Sequence, residues 1–183
     1  LDGSEGKMCG NAIRCVGKYL YEEGIVKKQD MTIETLSGIR TLHLYVQSGT
    51  VTSVTVDMGK AILNPAQIPV NLPGVDAVGR TITVGDKEYE VTCLSMGNPH
   101  CVVFCDNLDN LQMRVWERGS GETFACGTGA CAAAVASVLR GHCLENKDIT
   151  VKLLGGELMI RYTPQAVFMT GKAQRVFEGT IEI

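Results

Sequence analysis

Cys9-Gly10-Asn11-Ala12-Ile13-Arg14-Cys15-Val16 opens a segment that Gly24 brings to a halt, and Cys126-Gly127-Thr128-Gly129-Ala130-Cys131-Ala132 opens another that Gly141 ends. Each glycine follows its leading cysteine by 15 residues. Ile13, Val16 and Leu20 fall at i, i+3 and i+7, and Ala132, Val135 and Leu139 repeat that spacing, the pattern of helices with an apolar stripe. The glycines read as stop signals just beyond the last turn. A cysteine that starts a helix is well placed for chemistry, because the positive end of the helix dipole favours its thiolate. Two such thiols suggest one structural unit used twice.

The duplication extends outward from the helices. Met31 to Leu36, Thr41 to Val46 and Ser53 to Asp57 read as strands around a Ser37-Gly38 turn. After the second helix, Ile149 to Leu154, Leu158 to Tyr162 and Ala166 to Thr170 repeat the order around Gly155-Gly156. Met58-Gly59-Lys60-Ala61 is answered by Met169-Thr170-Gly171-Lys172-Ala173. Self-similarity of this kind predicts two related half-domains. Between them, the proline-rich stretch 64–79 reads as a connection, followed by strands near Arg80 to Val84 and Glu88 to Leu94. The expected architecture is α+β: two pseudo-symmetric half-domains, each with mixed or antiparallel strands wrapped around a central helix, and a cleft between them that receives both helix starts. The expected boundaries are 1–57 and 58–173, with 174–183 returning to the first half.

A chain of 183 residues with a formal net charge of −3 gives no electrostatic reason to bind nucleic acid or an anionic membrane. No apolar run is long enough to span a bilayer. The eight cysteines sit among ordinary helix and strand patterns, which favours reduced thiols and a cytoplasmic setting over a disulfide scaffold. Cys15, Cys93, Cys101, Cys105 and Cys131 read as small hydrophobes, and Cys101 with Cys105 lacks the second pair a zinc site needs. No metal and no cofactor is expected.

Polar groups gather before each leading cysteine. Asp2-Gly3-Ser4-Glu5 precedes Cys9, and Trp116-Glu117-Arg118-Gly119-Ser120-Gly121-Glu122-Thr123 precedes Cys126. Helix starts carry free N–H groups that suit an anion, and glycine lets the ligand come close. Two of them facing one cleft would grip a carboxylate jointly and stabilise carbanion character on the adjacent carbon. One thiolate could remove the α-proton while a thiol opposite delivers another, inverting the centre. Met96-Gly97-Asn98-Pro99-His100 is the remaining polar motif; it reads most simply as a turn, with His100 able to bias a thiol and Asn98 to hold substrate. His43 and His142 show no partner in the sequence. Two rival readings are a dinucleotide site built on Gly127-Thr128-Gly129 with Ala132, and a Cys126–His100 hydrolase. Both leave Cys9 without a role.

Asp2 to Cys15, Met96 to His100, Glu117 to Ala132 and Met169 to Gly179 together resemble the diaminopimelate epimerase family. Asn11 after Cys9-Gly10 separates the chain from proline racemases, which share the two-cysteine plan but typically carry histidine there. The resemblance implies a PLP-independent, metal-free enzyme that interconverts LL- and meso-diaminopimelate, on the route to lysine and peptidoglycan precursors. It implies Cys9 and Cys126 as the acid/base pair, with His100 and Glu117 in support. It further implies that Gly10, Asn11, Asn98, Glu117, Arg118, Gly127 and Thr128 bind substrate, and that the protein is a homodimer. The family carries a substantial segment before the Asp-Gly-Ser-Glu motif and several dozen residues between the counterparts of Gln112 and Met113, which are adjacent here. The alternatives are therefore a proline or hydroxyproline racemase and an inactive remnant that still binds carboxylates.

Overall fold

The computed structural model describes residues 8–106, 113–117 and 120–181. Helix α1 (Gly10–Glu22) is followed by strands β1 (Asp30–Thr35), β2 (Gly38–Gln47) and β3 (Thr50–Asp57). A one-turn 3-10 helix at Pro65–Gln67 leads to β4 (Arg80–Val84), β5 (Lys87–Ser95) and β6 (Pro99–Val103), then the hairpin β7 (Val115–Glu117) and β8 (Gly121–Thr123). Helix α2 (Gly127–Leu139) precedes β9 (Asp148–Leu153), β10 (Gly156–Tyr162) and β11 (Val167–Gly171).

Both helices begin where the sequence places them, with Cys9 and Cys126 as N-caps. They also stop alike. Gly24 (φ +70°) and Gly141 (φ +77°) take the left-handed conformation, and their N–H groups bond the carbonyls of Tyr21 and Val138, each at 3.0 Å. A residue with a Cβ would be strained at either stop.

The strands of the two repeats join in one six-stranded sheet, in the order β1-β2-β3-β11-β10-β9, with every pair antiparallel. The third strands of the repeats meet at its centre, where Val56 pairs Met169 and Thr55 pairs Thr170. The described strands therefore form a shared sheet with approximate two-fold symmetry about the β3–β11 seam. A smaller antiparallel sheet, β4-β5-β6, stands apart. Among the described residues no parallel strand leads into α2, since β8 before it pairs antiparallel with β7, so the dinucleotide reading loses the strand–turn–helix unit it requires.

The two helices are buried differently. α2 lies against β9, β10 and β11 on one side and β5 and β6 on the other, so Ala130, Cys131, Ala132, Ala134, Val135 and Ala136 are all buried. α1 packs on β2 and β3 through Gly10, Ile13, Arg14, Gly17 and Lys18. Val16, expected on the apolar stripe, is 43% exposed. Two glycines explain the difference: a Cβ built on Gly17 would stand 2.8 Å from Leu42 Cδ2, so the helix approaches the sheet through its smallest residues. Lys18 reaches across to bond Glu22 at 2.6 Å and the Val51 carbonyl at 2.8 Å, and Glu22 accepts the Val51 N–H at 2.9 Å. That compensates the burial of both charges.

Two further differences concern single strands. Pro99-His100, read as a turn, opens β6, the turn lying earlier at Gly97 (φ +95°). His43 has a partner after all, pairing across β1 and β2 with Asp30 at 2.6 Å. We expect Gly17→Ala to destabilise the protein by about 1–3 kcal/mol, because overpacking against Leu42 outweighs the gain in helix propensity. The urea unfolding midpoint measures this.

Candidate active site

Cys9 (φ −125°, ψ 114°) and Cys126 (φ −128°, ψ 110°) share one backbone conformation, and the helix turns they open converge on a single side chain. A Cβ built on Gly10 would lie 2.7 Å from Met169 Cε, and one built on Gly127 would lie 3.0 Å from Met169 Sδ and 3.3 Å from Asn11 Oδ1. Met169 is fully buried at the central seam of the sheet. With the methionine placed as it is, glycine fits this approach from both sides, and a larger residue would require Met169 to shift. The first turns of α1 and α2 therefore meet over the floor that Met169 provides, with Asn11 reaching from one to the other.

The two sulfurs have different surroundings. Cys126 is half-buried, and its Sγ accepts the Gly129 N–H at 3.4 Å and lies 3.5 Å from Thr128 Oγ1. Cys9 is exposed, with no cap hydrogen bond from its side chain. Arg14 lies just behind it, donating to the Gly10 carbonyl at 3.0 Å, Asn11 Oδ1 at 3.3 Å and Met169 Sδ at 3.6 Å. Burial lowers the pKa of this guanidinium, while the thiols of Cys15, Cys9 and Cys131 oppose the shift. A cation thus stands near Cys9 and fixes the Asn11 carboxamide with its oxygen turned inward. Arg14 and Met169 were not read from the sequence as part of the site. The signal for Arg14 was a basic residue beside Ile13 on the buried helix face.

Clefts flank the junction of the helices. One of about 790 Å³ is lined by Asn11, Arg14, Ala125 and Lys172, and one of about 640 Å³ by His100, Met113, Trp116 and Gly129. Asn98 and His100 are adjacent, with Nε2 of His100 3.2 Å from Asn98 Oδ1. Burial lowers the His100 pKa, and the nearby Glu117 carboxylate partly offsets it. Glu117 itself is exposed on β7 and accepts the Thr123 hydroxyl at 2.8 Å. Arg114 clasps Glu122 through two bonds of 2.7 and 2.8 Å and stacks 4.9 Å from the Trp116 ring centre, bracing the hairpin. The structure thus groups Cys9, Gly10, Asn11 and Gly127 at the helix junction, Thr128 beside Cys126, and His100 on the second cleft with Asn98 and Glu117 near it. Arg118 and the 2–5 motif lie outside the described residues, as does Gln112 of the Gln112–Met113 junction.

The diaminopimelate epimerase family profile matches residues 1–64 and 109–176. The chain belongs to the diaminopimelate epimerase family. A diaminopimelate epimerase of Acetivibrio thermocellus is 45% identical over 216 aligned positions that take in 100% of this chain and 76% of the relative. One from Methanococcus maripaludis is 43% identical, covering 100% of this chain and 77% of its own length. Because 216 aligned positions face 183 residues, at least 33 positions of the family alignment have no counterpart here. Among solved structures, a hydroxyproline epimerase from Agrobacterium vitis superposes with a TM-score of 0.62 at 14% identity, over 91% of this chain and 65% of that one. A predicted epimerase from Pseudomonas aeruginosa gives 0.63 at 14%, over 96% of this chain and 77% of its own. At that identity they bear on the fold alone, and they agree with the two-half α+β architecture.

Two predictions follow from the site's packing and charge. Met169→Ala should cost about 2–5 kcal/mol by opening a cavity under both helix starts, whereas Met169→Leu should cost under about 1.5 kcal/mol; thermal unfolding separates them. His100 titrates below its ordinary 6.5 in the fold, so between the lowered value and 6.5 the unfolded chain binds more protons, and stability rises with pH across that window. His100→Gln should flatten this rise in urea midpoints. Glu22 and Asp148, held below 4.5 and 3.8 by Lys18 and Arg161, titrate in more acid solution.

Proposed function

We propose that this chain interconverts LL- and meso-diaminopimelate by two-base proton transfer between Cys9 and Cys126. The observation that carries the reading is the meeting of two cysteine-capped helix starts over Met169, in a chain of this family. The carboxylate next to the reacting carbon would lie against the first-turn N–H groups of both helices, the ends at which their dipoles favour negative charge. Gly10 and Gly127 let both first turns close onto Met169, and Asn11 and Thr128 supply polar contacts at the edges of the site. As the α-proton leaves, charge develops towards the same donors, so they act most strongly on the transition state. One sulfur takes the proton as thiolate and the other delivers its own from the opposite face. In the reverse direction the two exchange roles.

Asn98, Glu117 and Arg118 are assigned to the distal end of the substrate, where a carboxylate and an ammonium call for one cationic and one anionic partner. His100, largely neutral near pH 7, supports the site with Glu117. The chain divides at residue 57 into half-domains 1–57 and 58–173, and the segment from 174 returns to the first half. The ion pair of Arg175 with Glu23, at the end of α1, supports that return. We further read the protein as a cytoplasmic homodimer; no helix among the described residues is long and apolar enough to cross a membrane. A second reading, carboxylate binding without turnover, is favoured by the 33 or more alignment positions that lack a counterpart.

Incubation of the reduced protein with either diaminopimelate isomer in D2O should place deuterium at the inverted α-carbon, and proline should not exchange. Cys9→Ala and Cys126→Ala should each lower the rate by at least about 10²-fold. Calorimetric binding without exchange would select the second reading, and full activity of either alanine variant would overturn the paired-thiol assignment.

A further inference from the structure

The small sheet holds two cysteines that the proposed reaction leaves unused. Cys93 of β5 and Cys101 of β6 stand directly opposite each other. Their backbone setting is defined by hydrogen bonds made on the far side of β5. The Cys93 N–H donates to the Ala77 carbonyl at 2.9 Å, and Ser95 exchanges two bonds with Ile62 at 3.0 and 2.9 Å. Alternate residues of β5 therefore turn their backbone groups away from β6. Cys93 and Cys101 form a non-hydrogen-bonded antiparallel pair, the closer type, with Cα atoms about 4.5 Å apart, which is inside the range a disulfide bridges. Both side chains project from the same face of the sheet. That face is turned away from α2: the paired residues Leu94 and His100 alternate with them, and Leu94 belongs to the main core.

The two thiols differ in access. Cys93 is 5% exposed, in a separate small cluster with Ala77 and Val91 against which Val70 and Leu72 pack. Cys101 is open to solvent. The neighbouring Cys93 thiol brings the Cys101 thiol down to about 7, while Cys101 and burial raise Cys93. The accessible sulfur is thus the nucleophile and the sheltered one its neighbour.

We propose that Cys101 and Cys93 form an oxidant-reactive dithiol, separate from the helix-start cysteines, that reacts with hydroperoxides to give a cross-strand disulfide. The Cys101 thiolate attacks a peroxide oxygen; an S–O bond forms, the O–O bond breaks, and hydroxide or alkoxide leaves, giving a sulfenic acid. The Cys93 sulfur then attacks Cys101; the S–S bond forms, the S–O bond breaks, and the oxygen leaves as water with the Cys93 proton. Two thiols are oxidised and one hydroperoxide is reduced. Cys105 lies beyond the end of β6 at Val103, outside the strand register that sets Cys101 opposite Cys93.

The sequence supplies a direct test. Met58, Met96 and Met113 let cyanogen bromide release fragment 59–96, whose single cysteine is Cys93, and fragment 97–113, which carries Cys101 and Cys105. The full-length protein is treated with a small excess of hydrogen peroxide, alkylated, cleaved and weighed. The two fragments should remain joined, lighter by two hydrogen atoms, and should separate on reduction; the link should persist in Cys105→Ser and vanish in Cys101→Ser. In Cys93→Ser, Cys101 should halt at a sulfenic acid that dimedone labels. Separate fragments after oxidation of the wild type, or a link that survives Cys101→Ser, would overturn the proposal. Neither outcome depends on epimerase activity.

Discussion

The contact between Met169 and the two glycines that open α1 and α2 is the constraint on which the rest of the structure depends. Two helix starts can close onto one buried side chain only where their own first residues are small. Here that requirement is met twice at one point, because β3 and β11 pair at the centre of the sheet and carry their repeats' helices towards the same seam. Without that pairing each half would have a cysteine-capped helix and no partner for it. The polypeptide invests a fully buried methionine at the seam, and its flexible thioether suits a floor pressed from two directions.

The symmetry of the backbone is not carried into the side chains around the two sulfurs. Cys126 is held by Gly129 and Thr128, whereas Cys9 makes no cap hydrogen bond and has Arg14 behind it. The proposed two-base reaction has use for such asymmetry, since in it one sulfur must begin charged and the other protonated. The buried arginine also has a mechanical consequence. By bonding the Gly10 carbonyl, Asn11 and Met169 together, it couples the first turn of α1 to the sheet seam, so the positioning of Asn11 and the packing of Met169 are parts of one arrangement. The small sheet adds a second thiol pair whose proximity arises from strand register, with no helix dipole involved.

Much of this was legible in the chain. The cysteine starts and glycine stops gave both helices nearly to the residue, because caps and positive-φ positions are local requirements that few residue types meet. The six strands of the repeats followed from alternation and from glycine at their turns. Reading failed where the information was not local. Val16 fits an apolar stripe as well as Ile13 does, but the sheet selected the Gly10–Gly17 side, and Leu42 needed that space. Pro99-His100 reads as a turn because proline usually ends pairing, yet proline is tolerated at the first position of a strand. Nothing local marks Arg14 for burial, and one of its contacts is Met169, 155 positions away.

By itself the sequence determined the two helix-start cysteines, the duplicated order of elements and the family, since each is written in short motifs with a local physical meaning. The tertiary structure alone decided that the repeats share one sheet, that both helix starts rest on Met169, and that Cys93 faces Cys101. These depend on which strands pair and in what register, a choice fixed by long-range packing that no stretch of a few residues encodes.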